Sequence, residues 1–192
     1  AFICAGVESM SRVPMMGFNP LPHPELARTM PEAYMGMGET AENLARRYAI
    51  SRTDQEAFAV ESHRKAAIAV AEGRFAAEII PIATPDGAMV SADGCIRAET
   101  SAESLAGLKP AFLADGSVTA GTASPLTDGA AATLVCTADY ARSHGLTPLA
   151  RVRGIAVAGC APDIMGIGPV AAIRKVLARS GLSLADIAVI EL

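Results

Sequence analysis

Residues 118–132 read VTAGTASPLTDGAAA and join a loop of glycine, alanine and small hydroxyl residues to an apolar run. The run at residues 130–136, AAATLVC, predicts a buried strand, because short continuous apolar runs are typical of strands covered on both faces. A loop held by such a strand is rigid, and its small residues let a ligand approach the backbone closely. The pattern indicates a binding loop, although an ordinary glycine-rich turn explains the composition equally well.

Apolar spacing and turn residues predict the other elements. The clearest is a helix over residues 51–72, capped by Ser51 and Asp54 and ended by Gly73. Its buried stripe would comprise Ala57, Val60, Ala67 and Ala71. Further helices are expected at residues 40–49, with Thr40 as N-cap, at 101–108 and 140–144, and from Pro169 to Gly181. Strands are expected at residues 1–5, 79–82, 149–158 and 188–192. Residues 9–31 are expected to form an irregular loop. The strand–helix–strand order after residue 149 predicts a βαβ unit with a parallel sheet, and hence the α/β class.

Charge and cysteine usage exclude several classes of protein. The net charge of −4 argues against a nucleic-acid binder, and no apolar run reaches the roughly 18 residues of a membrane span. The four cysteines show neither C-x-x-C nor metal-ligand spacing. We therefore expect reduced thiols, with Cys4 and Cys136 as small buried hydrophobes, no metal, and a cytoplasmic location.

Five other segments share with residues 118–132 a likeness to one family: GVESM (6–10), MGETAEN (37–43), SRTDQEAF (51–58), KPAF (109–112) and MGIGP (165–169). In this order they resemble the thiolases, the coenzyme-A-dependent acyltransferases that cleave or form β-ketoacyl-CoA. The resemblance implies a thiolase-like α/β fold, present in part, with an inserted α+β loop domain. Residues 1–9 and 123–146 would belong to the N-terminal half, residues 10–122 to the loop domain, and residues 147–192 to the start of the C-terminal half.

The resemblance also implies where the chemistry lies. The family's nucleophilic cysteine would precede Ala1, and its catalytic histidine and second cysteine would follow Leu192. We therefore expect no catalytic residue in this chain, which would be the central part of a thiolase and inactive alone. Acyl-CoA and coenzyme A would be substrates, with no permanently bound cofactor, and the protein would form a homo-oligomer, a dimer or a tetramer.

The same resemblance implies the ligand-binding residues. Ser124 would hydrogen-bond the pantetheine arm of coenzyme A, and Ala120 and Gly121 would supply the close backbone approach. Met37, Met165 and Phe112 would line the acyl and pantetheine tunnel, and Arg97 would lie near the nucleotide end. Three of these residues have simpler alternative roles: Ser124 as a loop serine that bonds its own backbone, which the motif makes the less favoured interpretation, and, equally compatible with the sequence, Phe112 as core packing and Arg97 as an ordinary surface arginine.

Two departures from the family's patterns bear on chain length. Gly36 stands where some short-chain thiolases carry a histidine, and the loop carries Pro125 and Thr127 where many biosynthetic members carry glycine and asparagine. Both departures resemble thiolases of fatty-acid oxidation that act on longer chains.

Two alternatives to a thiolase are compatible with parts of the sequence. Residues 166–171, GIGPVA, fit the dinucleotide pattern G-x-G-x-x-A, with Glu191 ending the next predicted strand. Pro169 removes a backbone donor from that loop, and too many residues separate it from the preceding strand for a tight turn. The second alternative is a non-catalytic piece that serves only in assembly.

Overall fold

The computed structural model describes residues Ala1–Leu192 and divides into two compact units. Unit 1 comprises Ala1–Met35 and Leu126–Leu192, and unit 2 comprises Gly36–Pro125. The helices and strands in unit 1 are β1 (Phe2–Ser9), α1 (Pro24–Thr29), β4 (Asp128–Val135), α5 (Ala138–Ser143) and α6 (Gly168–Ser180), with 3-10 helices at Pro31–Tyr34, Pro162–Ile167 and Leu184–Asp186. Those in unit 2 are α2 (Met37–Arg47), α3 (Arg52–Ala71), β2 (Ile82–Ala83), β3 (Met89–Val90) and α4 (Ala102–Ala106).

Unit 1 contains a two-stranded antiparallel ribbon of β1 and β4. Phe2 lies opposite Val135 at one end and Ser9 opposite Asp128 at the other. Both strands were predicted, but the prediction that they are buried is wrong: β4 is exposed throughout, and Ile3 of β1 is 80% exposed. The strands pair only with each other, so neither their faces nor their outer edges are covered.

The same correction applies to the cysteines. Cys4 is exposed and Cys136 is half-buried, so neither is the buried hydrophobe that its apolar surroundings predicted. All four cysteines are free thiols. An apolar run thus indicates a strand without showing which of its faces is covered.

The ribbon ends at a side-chain bond. The Asp128 carboxylate accepts the Ser11 backbone N–H at 2.9 Å and the Ser11 hydroxyl at 2.5 Å. Ser11 closely follows β1 and Asp128 begins β4, so these bonds join the two strands beyond their last backbone pair. The bonds from the Ser11 hydroxyl and then the Ser11 backbone N–H lower the pKa of Asp128.

The predicted parallel βαβ unit is not present. Residues 149–158 and 188–192 form no strand, because no neighbouring strand lies alongside them to complete a hydrogen-bonded ladder. Instead, the carbonyl oxygens of Val157 and Ile155 accept from Lys175 at 3.1 Å and Arg179 at 3.4 Å, both on α6. Alternating apolar residues reveal a tendency to extend but not the partner that a strand needs.

Helix α6 itself agrees with the sequence. Pro169 lies in its first turn, and Gly181 ends it with a left-handed φ of 67°. Of its apolar residues, Ile173, Val176 and Leu177 are half-buried and Val170 is exposed. Helix α5 likewise forms before Gly145, as its residues predicted.

Two helices begin where the sequence did not place them. Helix α1 lies in the segment predicted to be irregular; Pro24 starts it, and the His23 ring nitrogen Nδ1 accepts the Leu26 N–H at 3.4 Å. Six residues are too few to show a period. Helix α2 begins at Met37 with Gly36 as N-cap, so Thr40 is not the cap; its hydroxyl instead donates to the Met37 carbonyl at 2.8 Å.

Helix α3 has the predicted ends but not the predicted buried face. The Ser51 hydroxyl accepts the Asp54 N–H at 3.1 Å, and the Asp54 carboxylate accepts the Ser51 N–H at 3.3 Å. Gly73 follows the helix with a left-handed φ of 70°. The four alanine and valine positions of the expected stripe are exposed or half-buried, whereas Glu56 is buried.

Glu56 is buried because Arg52 neutralises it and joins α3 to α4. The two side chains form an ion pair at 2.6 Å. The Arg52 guanidinium also donates to the carbonyl oxygens of Leu105 at 3.0 Å, Ala106 at 3.2 Å and Leu108 at 2.7 Å. The last turn of α4 therefore has a cationic partner for carbonyl groups that the helix itself leaves without donors.

The remaining structure of unit 2 is a small hairpin. Strands β2 and β3 pair antiparallel around a turn at Asp86–Gly87, where Gly87 has a φ of 87°. The first strand begins at Ile82 rather than Ile79, three residues later than its apolar run suggests.

Replacing Arg52 with Met should destabilise the protein. The change removes the donor to three carbonyl groups and leaves Glu56 buried without its cation, so we expect the free energy of unfolding to fall by about 2–4 kcal/mol. Urea denaturation measures this. The matched control, Arg64→Met, breaks a solvent-exposed pair with Glu61 and should change stability little. Equal effects of the two changes would contradict the role assigned to Arg52.

Replacing Ser11 with Ala should raise the pKa of Asp128 towards the ordinary aspartate value of about 3.9. Because the folded-state pKa is lowered, the stabilisation from this interaction is complete above the unfolded-state pKa and is lost as pH falls through the folded-state pKa. An NMR titration of the Asp128 carboxyl carbon shift against pH measures this pKa. Asp86, whose pKa is lowered chiefly by the Thr84 hydroxyl, serves as an internal control that Ser11→Ala should leave in place. An unmoved Asp128 titration would argue against the Ser11 bond.

Candidate functional site

The loop that the sequence singled out is attached to α2 by a buried glutamate. Glu42 is 1% exposed. Its Oε1 accepts the backbone N–H groups of Ser117 at 2.9 Å and Val118 at 2.8 Å. Its Oε2 accepts the Ser117 hydroxyl at 3.2 Å and lies 3.0 Å from the same Ser117 nitrogen. Consecutive backbone donors thus converge on one carboxylate.

Two further contacts hold the same segment from other sides. The Gln55 side-chain amide of α3 donates to the Ser117 hydroxyl at 2.9 Å. The Ala111 N–H donates to the Val118 carbonyl at 2.9 Å, and Pro110 and Thr119 form an isolated β-bridge. The start of the loop is therefore held by α2, by α3 and by the segment before it.

After this attachment the chain closes a turn on itself. Thr119 is 0% exposed, and its hydroxyl accepts the Gly121 N–H at 3.2 Å. The Thr119 N–H donates to the Thr122 hydroxyl at 3.0 Å, and the Thr122 N–H returns to the Thr119 carbonyl at 3.1 Å. The predicted rigidity thus comes from these bonds and the Glu42 attachment, rather than from a buried strand after the loop.

The structure assigns Gly121 a packing role. A Cβ built on this residue would lie 2.4 Å from a methyl carbon of Leu105 and 2.7 Å from one of Leu108. Any larger residue would therefore displace these leucines. Ala120, the other residue expected to offer its backbone to a ligand, is exposed.

Ser124 lies just beyond the closed turn and is exposed. Its hydroxyl makes no hydrogen bond within the chain, so the alternative of a serine that satisfies its own backbone is not observed. An exposed hydroxyl on an anchored loop is free to bind a ligand.

Met37 begins α2, and the Phe112 ring lies against the first turn of this helix. A Cβ on Gly38 would lie 2.2 Å from the Phe112 ring, so the absence of a side chain at Gly38 allows the ring to lie against the helix. Phe112 is nevertheless 45% exposed, and Met37, the first residue of the helix, is also exposed. Met165 is an exposed residue of unit 1, in the 3-10 helix Pro162–Ile167.

Arg97 lies apart from this group on a segment that contacts α3. Its backbone N–H donates to the His63 ring nitrogen Nδ1 at 3.1 Å. Its guanidinium is exposed, bonds the Cys95 carbonyl at 3.3 Å and forms no ion pair, so it can bind an anion. In unit 2 the structure thus brings together the loop and α2, while Arg97 is held by a separate contact.

Sequence reasoning missed Glu42, Gln55, Gly38 and the role of Ser117. Glu42 and Gly38 belong to the quoted segment MGETAEN, but a glutamate in a helix is ordinarily taken to face solvent. Its buried partners come from residues more than 70 positions away in the sequence. No periodicity could reveal that contact.

The rings of His23 and His63 accept the N–H groups of Leu26 and Arg97, and the ring of His144 bonds the Ser143 hydroxyl and the Tyr140 carbonyl; none of the three is hydrogen-bonded to a thiol. Burial, reinforced by Asp93, raises the pKa of the half-buried Cys95, which disfavours its thiolate. No group of three or more His, Cys, Asp or Glu side chains could hold a metal ion, and no helix is both long and apolar enough to span a membrane.

The dinucleotide pattern lacks its structural context. Gly166 belongs to the 3-10 helix Pro162–Ile167, and no strand lies between β4 and this helix. A strand running directly into a tight glycine turn is what allows a pyrophosphate to reach the helix terminus. Glu191 follows no strand either.

Comparisons with known proteins cover the whole chain. The family model "Thiolase, N-terminal domain" matches residues 1–139, and "Thiolase, C-terminal domain" matches residues 146–192. The 3-ketoacyl-CoA thiolase of Bacillus subtilis (strain 168) is 47% identical over 99% of this chain and 52% of its own length. That of Shewanella frigidimarina is 52% identical over 100% of this chain and 50% of its own length. The chain therefore spans about half the length of the curated relatives it matches.

Solved structures show the same likeness in three dimensions. The dimeric peroxisomal thiolase of Saccharomyces cerevisiae superposes with a TM-score of 0.90 at 39% identity, over 97% of this chain and 49% of that one. Human mitochondrial 3-ketoacyl-CoA thiolase gives 0.80 at 38% identity, over 96% and 51%. The expected thiolase-like α/β fold, present in part, is confirmed. By its fold and by both family models, the chain belongs to the thiolase family.

Proposed function

We propose that this chain is the coenzyme-A-binding part of a 3-ketoacyl-CoA thiolase, an acyltransferase that moves acyl groups between 3-ketoacyl-CoA, acyl-CoA and coenzyme A. The observation that carries the proposal is the loop at residues 117–124. Glu42 anchors its beginning, and Ser124 presents a free hydroxyl near its end. The names of the curated relatives support this choice of reaction.

Each site residue takes a role that suits its chemistry. Ser124 hydrogen-bonds the pantetheine arm, and the backbone at Ala120 and Gly121 lies against it. Met37 and Phe112 line the tunnel for pantetheine and acyl chain, since the flexible thioether of Met37 adapts to chains of different length. Arg97, with no carboxylate partner, binds a phosphate at the nucleotide end through its planar fork. Coenzyme A is a substrate here, not a resident cofactor.

The reaction itself needs groups that this chain does not bring together. Acyl transfer in two steps requires a cysteine thiolate that takes the acyl group and donors that stabilise each oxyanion. We propose that the complete protein supplies them from residues outside 1–192. Gly36, Pro125 and Thr127 favour acyl chains longer than acetoacetyl, as in fatty-acid oxidation.

We also propose the domain assignment, the subunit contacts and the location of the protein. We assign residues 1–9 and 123–146 to the N-terminal thiolase half, residues 10–122 to the loop domain and residues 147–192 to the start of the C-terminal half. The exposed apolar side chains of β1 would be covered by the rest of the fold or by a second subunit of a dimer or tetramer. The four free thiols support a cytoplasmic location.

Replacing Ser124 with Ala in the complete protein encoded by the gene should weaken coenzyme A binding. Loss of one hydrogen bond to the ligand costs about 0.5–1.5 kcal/mol, which raises the dissociation constant a few-fold. Calorimetric titration measures it. Ser62→Ala, an exposed serine on α3, is the matched control and should leave affinity unchanged. Unchanged affinity in Ser124→Ala would return this residue to an ordinary loop position.

The 192-residue chain alone should catalyse no thiolysis of acetoacetyl-CoA, because none of its thiols is hydrogen-bonded to a histidine ring that could act as its base. The complete protein should cleave longer 3-ketoacyl-CoA substrates in the presence of coenzyme A. Disappearance of the substrate measures both. Turnover by the isolated chain that an alkylating agent abolishes would place the nucleophile among its four cysteines and contradict the assignment. A complete protein that binds coenzyme A without turnover would favour a role in assembly, and stabilisation by NAD but not by coenzyme A would favour a dinucleotide site.

A further inference from the structure

Unit 2 contains two buried glutamates with different kinds of partner. Glu56 is paired with the Arg52 guanidinium at 2.6 Å. Glu42 is more deeply buried and pairs with no cation; the donors on its carboxylate come from Ser117 and Val118. A carboxylate removed from water needs donors, and here the donors belong to the loop, so the carboxylate and the loop backbone depend on each other.

The surrounding residues are shaped for this attachment. A Cβ on Gly116 would lie 2.2 Å from Glu42 Oε1 and 3.1 Å from the Leu113 carbonyl oxygen. The glycine therefore leaves the space in which the carboxylate reaches the two N–H groups. Gln55 adds a second side-chain contact to the same serine hydroxyl at 2.9 Å.

The attachment continues into the part of the loop that carries Ser124. Thr119 directly follows Val118 and is bonded to both Gly121 and Thr122. Ser124 is two residues beyond Thr122 and makes no hydrogen bond of its own within the chain. Its position is thus determined by the turn before it, and the position of that turn by Ser117 and Val118.

We infer that Glu42 is a positioning residue for coenzyme A binding: it does not touch the ligand but sets the place of the loop at residues 119–124. The inference rests on the proposed function. It predicts that Glu42 acts on affinity through Ser124, whereas the other buried glutamate, Glu56, contributes to stability alone.

A double-mutant cycle on the complete protein encoded by the gene tests this. Glu42→Gln keeps the size of the side chain but removes the negative charge on which the loop donors converge, and it replaces one acceptor oxygen by an NH2 group that lies against Ser117 if it takes the place of Oε2. We expect the calorimetric dissociation constant for coenzyme A to rise a few-fold, about as much as in Ser124→Ala, since both changes lose the same hydrogen bond. Adding Ser124→Ala to Glu42→Gln should raise it little further, because a displaced hydroxyl has no bond left to lose. Adding Ser124→Ala to Glu56→Gln should instead give the full effect of the single change.

The matched variant Glu56→Gln should lower the melting temperature yet leave the dissociation constant within about twofold. If Glu42→Gln does not fold, Ser117→Ala takes its place, since it removes the hydroxyl that bonds both Glu42 and Gln55. The coupling energy between Ser117→Ala and Ser124→Ala should be smaller than that between Glu42→Gln and Ser124→Ala, but of the same sign.

The outcomes separate the two proposals. If Ser124→Ala weakens binding but the Glu42 or Ser117 change leaves affinity unaltered, or its effect multiplies with that of Ser124→Ala, the positioning role is wrong and the coenzyme A site stands. If the unaltered protein does not bind coenzyme A at all, the proposed function fails and the positioning role fails with it.

Discussion

The buried carboxylate of Glu42 determines the course of the chain between α2 and the candidate binding loop. Moving a carboxylate out of water costs several kcal/mol, and a hydrogen bond to a charged group returns about 1.5–3 kcal/mol. Donors from two adjacent residues, Ser117 and Val118, are therefore needed to offset the burial. If the loop backbone moved away, the buried carboxylate would lose these donors. The attachment is therefore strong without any bond to the ligand.

Three glycines of unit 2 leave space for neighbouring side chains rather than permitting unusual backbone angles. Gly38 admits the Phe112 ring, Gly116 admits the Glu42 carboxylate, and Gly121 admits Leu105 and Leu108. None of the three has a positive φ, in contrast to Gly73, Gly87 and Gly181, which end helices or form turns. These three glycines thus serve packing inside the unit.

The two units differ in how many of their apolar side chains are buried. Ala45, Leu105 and Val118 are buried around the anchored loop of unit 2. In unit 1 the ribbon of β1 and β4 exposes most of its apolar side chains, among them Val7 at 81%. Apolar surface of this extent is unfavourable in water, at about 25 cal/mol per Å². We expect this ribbon to gain most from the additional chain and subunits proposed for the complete enzyme.

Much of the fold follows from local sequence. Ser51, Asp54 and Gly73 mark the ends of α3, and Pro169 and Gly181 mark those of α6, because helix caps depend on residues close together in the chain. The spaced motifs likewise indicated the thiolase family without any structure. Which strands pair could not be read in this way: residues 149–158 alternate like a strand but have no partner to complete a ladder. The anchoring of the loop also required the tertiary structure, since Glu42 and Ser117 are 75 positions apart and burial of a charged side chain contradicts its usual preference for solvent.

Sequence by itself determined the ends of α3 and α6 and singled out the candidate binding loop, since helix caps depend on short-range backbone chemistry. Tertiary structure alone decided which apolar runs are covered and which carboxylate holds the loop, because burial and hydrogen-bond satisfaction depend on groups that only folding brings together.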